Sequence, residues 1–348
     1  MHVNQSSDKP QLTKPEWYQS LSNYEKPSFR KGVFQLADTY IPYLTLWAVM
    51  VRMVHQRYPY WVILSLAFAA SALLGRIFIF FHDSCHGSFF SSRRANRILG
   101  YVSGILTFTA YEDWRRAHVR HHATAGDLDH RGVGDFWMLT LEEYMALPGL
   151  KRLAYRLFRN PFVLFGLIPT VLFLIAHRFP HKRARRAESY SAIFTNLAIL
   201  AIIGVASVAI GLRTYLLIQM PIMIFAGTGA VWVFYIQHQF EGVYWARHEQ
   251  CDLMKVALEG SSYYKLPMVL QWVSGNIGLH HVHHLRPRIP NYNLQQCYDN
   301  IPAVQAVEPL TIRRSLKSLR LNLWDERNGK LVSFGSIKLN AQQSKFQT

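Results

Sequence analysis

YWVILSLAFAASALLGRIFIFFHDSCHGSFF, residues 60–90, is the stretch that decides the fold. From Tyr60 to Phe81 it is apolar and long enough to cross a bilayer core as a helix, which takes about 20 residues. It then delivers His82 and His86 at i and i+4, so two imidazoles share one helical face where hydrocarbon gives way to water. Such a segment predicts a membrane protein with a metal-type site at the membrane surface. Arg76 lies six residues before His82, near enough to that end for its guanidinium to snorkel to the interface.

Working outward, further apolar blocks cover Tyr40–Val54, Ile98–Ala110, Phe162–Ala176, Ser191–Ile210 and Tyr215–Ile236. Six blocks do not require six crossings. Ile98–Ala110 is too short for a span and carries Gly100 and Gly104, so it reads as interfacial or re-entrant. Phe162–Ala176 is also short and contains Pro169. The loop after it, HRFPHKRARRAE, holds Arg178, Lys182, Arg183, Arg185 and Arg186, which the positive-inside tendency keeps on the cytoplasmic side. The expectation is an all-α integral membrane protein with four crossings in two helical hairpins, 40–81 and 191–236. Interfacial helices and a cytoplasmic histidine-rich cap complete it.

The expected division is a polar cytoplasmic segment over 1–37, a membrane domain over 38–310, and a basic tail over 311–348. The first segment has no apolar signal core, and Asp8, Glu16 and Glu25 argue against an organelle transit peptide. In the tail, TIRRSLKSLRLNLW puts Ile312, Leu316, Leu319 and Leu323 on one helical face among Arg313, Arg314, Lys317 and Arg320. That pattern predicts an amphipathic helix, either packed on the protein, or pressed on an anionic leaflet, or offering a docking face to an acidic electron donor.

Composition agrees with a membrane chain. Of 348 residues 50% are hydrophobic and 17% charged, against about 25% charged in soluble domains. The net charge of +17 would suit nucleic acid, but the clumped apolar blocks assign it to loops facing anionic headgroups. Cys85, Cys251 and Cys297 are odd in number and widely spaced, which excludes a disulfide framework and a cysteine zinc site.

Two more histidine clusters follow. WRRAHVRHHATAGDLDH, residues 114–130, places His118, His121 and His122 at i, i+3 and i+4. GNIGLHHVHHLRPRIPNY, residues 275–292, repeats that spacing with His280, His283 and His284. FYIQHQFE ends the last apolar block on His238. A single i, i+4 pair is commonplace at a helix end; three clusters that each abut an apolar block are not. Nine nitrogens exceed one ion's needs, and two ions with four or five ligands each is the economical reading. His281 either substitutes for His280 or faces solvent. His2, His55, His130, His177, His181 and His248 lack spacing partners and read as bystanders. Asp83, Asp127 and Asp129 punctuate the clusters, either as partners for the outer N–H of a ligating imidazole or as solvated charges at helix ends. Trp114 and Arg115 read as interface anchors.

HDSCH, HVRHH and HHVHH, in this order with membrane hairpins between them, resemble the membrane fatty acid desaturase family. HDSCHGSFF, WRRAHVRHH followed by AGDLD, and NIGLHHVHHLRPRIPNY are especially similar to bacterial acyl-lipid desaturases of the omega-6 type. The resemblance covers residues 35 to 310. It implies two non-haem irons held by His82, His86, His118, His121, His122, His238, His280, His283 and His284. It further implies O2 as co-substrate, a cis double bond as product, a membrane lipid as acyl substrate, and a bacterial cytoplasmic membrane with the site on its cytoplasmic side. Animal relatives carry an Asn one turn before the lone histidine. Here that position is Phe234, so the role falls to another group such as Asn276.

No His-Pro-Gly-Gly haem motif, Gly-rich nucleotide fingerprint or iron–sulfur Cys run occurs, so bound haem, flavin and nucleotide are not expected. Electrons then come from a ferredoxin or a b-type cytochrome. Competing readings are a hydroxylase or ketolase of alkyl chains or carotenoids on the same fold, and a zinc-dependent membrane hydrolase or receptor. The latter needs three or four ligands and leaves most of the nine histidines unused. A metal carrier would want ionisable groups inside the spans, which are nearly free of them.

Overall fold

Ser28 starts the first long helix, accepting a hydrogen bond from the Lys31 N–H, and the chain is helical from Phe29 to His55. A computed structural model describes residues 15–132 and 134–337. Residues 1–14 of the expected polar segment, with His2 and Asp8, and residues 338–348 of the expected tail lie outside the described residues. The 37/38 boundary falls within the Phe29–His55 helix, because the cap at Ser28 lets the polar turns and the apolar block after Tyr40 form one element.

After a short linker the chain returns as Tyr60–His86, which Gly87 stops in the left-handed conformation (φ +66°). A second hairpin joins Arg186–Ala209 to Leu212–His238 through Ile210 and Gly211, the latter at φ +88°. His55 Nε2 donates to the Ile210 carbonyl (3.1 Å), so the two hairpin turns meet. His82, His86 and His238 therefore gather at the opposite end, about 40 Å away along 27-residue helices.

Tyr60–His86 packs along Leu212–His238 and against Phe29–His55 and Arg93–Leu106. Ala67, Ala70, Leu74, Ile77, Ile218 and Ile222 are buried at its centre. Lipid is as apolar as these side chains, so close packing over small residues such as Ala67 and Ala70 holds the helices together. The outer face of Arg186–Ala209 exposes Ile193, Phe194, Leu197, Leu200, Val205 and Val208.

Among the described residues, three helices are long and apolar enough to cross a membrane: Tyr60–His86, Arg186–Ala209 and Leu212–His238. The count rises to four if the bent pair Gly149–Phe158 and Val163–Arg178 is one span. Phe29–His55 is not among them, its apolar stretch being diluted by Tyr40, Pro42, Tyr43 and Arg52. The bent pair turns through 62° at the break before Val163. There Pro161 disfavours helix at Asn160, whose Oδ1 caps the Phe162 N–H (3.0 Å). Arg93–Leu106 is only 14 residues long and leaves Ile98 and Val102 exposed.

Two expectations are corrected. Arg76 does not snorkel: it is 2% exposed, donates Nε to Thr39 Oγ1 (3.0 Å) and Nη1 to the Trp272 carbonyl, and lies over the Trp272 ring at 4.2 Å. Asp38 sits 3.9 Å away, so the charge is compensated inside the protein. The amphipathic helix in the tail ends at Arg320, and Leu323 lies instead in strand Leu323–Asp325, antiparallel to Lys330–Val332. Tyr155 Oη and Arg159 both donate to the Asn322 carbonyl, and the Asp325 carboxylate receives the Arg327 and Asn328 N–H groups to close the turn. Beyond the histidine-bearing helix ends lie Tyr111–Thr124, His280–Leu285 and a short parallel pair, Tyr263–Lys265 with Pro309–Thr311.

Candidate metal centre

His82 and His86 close the Tyr60–His86 helix, and His238 closes Leu212–His238. Tyr111–Thr124 supplies His118, His121 and His122, and the single turn His280–Leu285 supplies His280, His283 and His284. All nine converge in two groups. His82, His86, His118, His122 and His283 form a five-histidine group; His121, His238, His280 and His284 form a four-histidine group. Within each, one ring nitrogen per residue lies within 4.8 Å of all the others. Every i, i+4 pair (82/86, 118/122, 280/284) serves one group, and the i+3 member (121, 283) turns to the other. The groups adjoin, with the His122 and His284 rings stacked at 4.2 Å.

The contacts are between Nε2 atoms. His118 lies 2.9 Å from His86 and 3.1 Å from His122, which lies 3.0 Å from His283; His238 lies 3.1 Å from His121 and 3.0 Å from His280. A neutral imidazole nitrogen offers either a proton or a lone pair. Along His86–His118–His122–His283, two protons would have to serve three contacts, so hydrogen bonding does not explain the arrangement. Coordination would: metal–nitrogen bonds of about 2.1 Å at right angles would hold their nitrogens about 3.0 Å apart. His82 Nε2 and His284 Nε2 are buried with no hydrogen-bond partner and belong to the same two groups.

The outer nitrogens fix which atom faces inward. His82 Nδ1 donates to Asp83 Oδ1 (3.1 Å), His121 Nδ1 to Asp135 Oδ1 (2.6 Å), and His238 Nδ1 to the Gly260 carbonyl (3.1 Å). Each bond puts the proton on Nδ1 and leaves the Nε2 lone pair for the centre. Asp83 Oδ2 accepts the backbone and side-chain N–H of Asn291 (2.7 and 2.9 Å), and Gln35 holds the Asn291 amide (3.0 Å). Burial, followed by repulsion from neighbouring imidazoles, pushes His118, His122, His280, His283 and His284 well below the usual histidine range. Their lone pairs are therefore free at neutral pH.

Aromatic rings enclose the centre. Trp114 stacks on His118 at 4.4 Å and packs on Phe78 and Phe81; it is part of the site wall rather than an interface anchor. Arg115 pairs with Glu112. Phe234 lies 5.2 Å from His121 and 5.7 Å from His238.

Other expected residues lie apart. Asn276, at φ +59°, donates to the Asn291 carbonyl (3.1 Å) and reaches the histidines only through that residue and Asp83. Asp127 receives His130 and His248, and Asp129 receives Arg247 and the His248 N–H. The turn at Gly126 (φ +73°) carries both carboxylates away from the nine histidines. His281 is fully buried, with Nε2 donating to the Val304 carbonyl (3.1 Å); it neither joins a group nor faces solvent. His177 contacts Thr109 and His181 pairs with Asp113. Asp135, Gly260, Asn291 and Gln35 had no signal in the sequence, because each acts through a contact made only by the fold.

A family profile described as Fatty acid desaturase matches residues 13–314. A Bacillus subtilis (strain 168) protein named fatty acid desaturase is 44% identical over 94% of this chain and 91% of its own. An sn-1 oleoyl-lipid 12-desaturase of Synechocystis sp. is 24% identical, with 85% of each chain covered. An sn-1 acyl-lipid omega-3 desaturase (ferredoxin) of Nostoc sp. is 24% identical over 72% of this chain and 69% of its own.

Proposed function

The chain belongs to the fatty acid desaturase family, and from that premise we propose that it is an O2-dependent di-iron enzyme that places a cis double bond in the acyl chain of a membrane lipid. The observation that carries the reading is the convergence of nine imidazoles in groups of five and four. The donor set fits iron, since imidazole is a borderline ligand for that metal, and two buried, unpartnered Nε2 atoms stand among the inward-facing nitrogens. His82, His86, His118, His122 and His283 would hold one ion; His121, His238, His280 and His284 would hold the other.

Two irons bound there would activate O2, which would supply what no side chain has, the oxidising capacity to remove two hydrogens from an unactivated alkyl chain. The protein's own task is positioning and dryness. Asp83, Asp135 and the Gly260 carbonyl keep three imidazoles in the ligating tautomer. Trp114 and Phe234 lie against the ligating rings and exclude bulk water. Phe78, which packs on Trp114, also lines a small apolar crevice with Leu74, Gly75, Met223, Gly227 and Ala230.

In this reading residues 38–310 are the membrane domain of a multi-pass protein of the bacterial cytoplasmic membrane, with four crossings in two hairpins. The histidine site and the flanking segments 1–37 and 311–348 face the cytoplasm. The electron donor is a ferredoxin or a b-type cytochrome, and the ferredoxin named for the Nostoc relative supports the first. The test is expression in a host lacking polyunsaturated lipids, with gas chromatography and mass spectrometry of the lipids and iron analysis of the purified protein. Loss of two hydrogens per acyl chain and two irons per chain are expected. Products that gain oxygen, or a chain that purifies with zinc alone, would refute the proposal.

A further inference from the structure

Outside the nine-histidine centre, two turns are sewn together. The turn after Tyr111–Thr124 meets the segment after Leu212–His238, with the Leu128 N–H bonded to the Ala246 carbonyl (2.9 Å) and the Ala246 N–H to the Gly126 carbonyl (2.9 Å). This seam brings His130 and His248 onto one carboxylate oxygen. Their Nδ1 atoms lie 2.8 and 2.7 Å from Asp127 Oδ2, and their rings are 4.4 Å apart. The Asp127 side chain is only 6% exposed, whereas those of His130 and His248 are 47% and 61% exposed.

The carboxylate is pre-placed. Its Oδ1 accepts the N–H groups of Asp129 (2.9 Å) and His130 (3.3 Å), which leaves Oδ2 facing the imidazoles. Burial alone would raise its pKa, but hydrogen bonds from His248, His130 and the Asp129 N–H more than offset this and hold it below the usual carboxylate range. On the far side Asp129 anchors the His248 N–H (2.9 Å) and Arg247 (2.6 Å), and Arg247 also pairs with Glu326. One fixed carboxylate and two solvent-facing imidazoles therefore come from segments more than a hundred residues apart.

We propose that Asp127, His130 and His248 form a third metal site, separate from the nine-histidine centre, that takes a borderline divalent cation of the zinc class. Two imidazole nitrogens and one carboxylate oxygen, with a fourth position open to water, match the ligand types and count that such an ion accepts. Calcium and magnesium would require more oxygens than the three side chains provide. The three donor atoms already lie within 4.8 Å of one another. Tetrahedral bonds of about 2.0–2.1 Å need ligand atoms about 3.3 Å apart, which a small swing of the exposed rings away from Oδ2 provides. Each imidazole frees its Nδ1 lone pair by moving that proton to Nε2, the other ring nitrogen. Such an ion would staple the turn after His121 and His122 to the turn after His238.

The test uses the full, iron-loaded chain in detergent micelles, titrated with Co2+ and back-titrated with Zn2+. One equivalent beyond iron is expected, with the intense visible absorption of four-coordinate cobalt, and Zn2+ displaces it. The double variant His130→Gln/His248→Gln removes two ligands from exposed rings and should weaken this equivalent by more than about 100-fold, beyond the range for an outer-sphere partner, with iron content unchanged. Asp127→Asn should do the same. Absence of the extra equivalent in the unmodified chain, or its undiminished uptake by the double variant, would overturn the proposal. Iron content and lipid products are read separately, so failure here leaves the desaturase reading untouched.

Discussion

Asp135→Ala is the sharpest probe of the centre, because it removes a charge that touches one group only. The Asp135 carboxylate, 6% exposed, holds His121 Nδ1 at 2.6 Å, and His121 belongs to the four-histidine group. An outer partner of a metal-bound imidazole is worth about 10–100-fold in metal affinity, which is about 1.4–2.7 kcal/mol. An independent route agrees: a buried N–H left without its acceptor costs about 1–3 kcal/mol. Asp135→Asn keeps an oxygen acceptor and should sit at the low end. The assay is iron per chain after equilibration against graded ferrous chelator. One iron should leave at a chelator strength about 10–100-fold lower than in the unmodified protein, while the second follows the unmodified curve. Asp83→Ala, acting on His82, should loosen the other ion instead. Both irons leaving Asp135→Ala in parallel, or a curve that does not move, would refute the two-group assignment.

Three further outcomes follow from the geometry. Gly278→Ala sets a Cβ 2.4 Å from the Tyr264 carbonyl oxygen, a backbone atom that already accepts no retreat because Tyr264 N–H bonds back to the Gly278 carbonyl (2.7 Å). Thermal unfolding should show a loss of about 1–3 kcal/mol, with iron depleted first from the group containing His280; unchanged melting would contradict the packing. His281→Ala removes the bond to the Val304 carbonyl and should destabilise the fold by about 1–3 kcal/mol while both irons remain, whereas His280→Ala should lose one; iron loss from His281→Ala would make it a ligand. Because the folded-state pKa values of His118, His122, His280, His283 and His284 lie well below 6.5, these imidazoles are already neutral at pH 7. Iron uptake there should release almost no protons from them, measured by buffer-dependent calorimetry, and several protons per ion would show the apo cluster to be charged.

The convergence of the nine histidines was legible because helical spacing constrains direction: residues four apart must share a face, and each such pair does share a group. What spacing did not carry was the partition, since sending His121 and His283 to the second group depends on how Tyr111–Thr124 and His280–Leu285 are set against each other. Proximity in sequence misled at Asp127 and Asp129, five and seven residues beyond His122, because the left-handed turn at Gly126 redirects the chain. The true partner, Asp135, lies farther along the same loop. His130 and His248 looked solitary for the reason Arg76 looked unpaired: their partners arrive from remote segments. The tail pattern at Ile312–Leu323 was helical in period but ended by a hairpin whose strand pairing lies outside any helical window.

His121 and His122 are joined by one peptide bond yet serve different groups, as do His283 and His284. A rotation of either helical turn about its axis would advance a nitrogen into one group while withdrawing a nitrogen from the other. The two centres are thus geared: neither can be re-tuned by shifting a helix without detuning its neighbour, and any adaptation of one must come from side chains that leave the helices where they are.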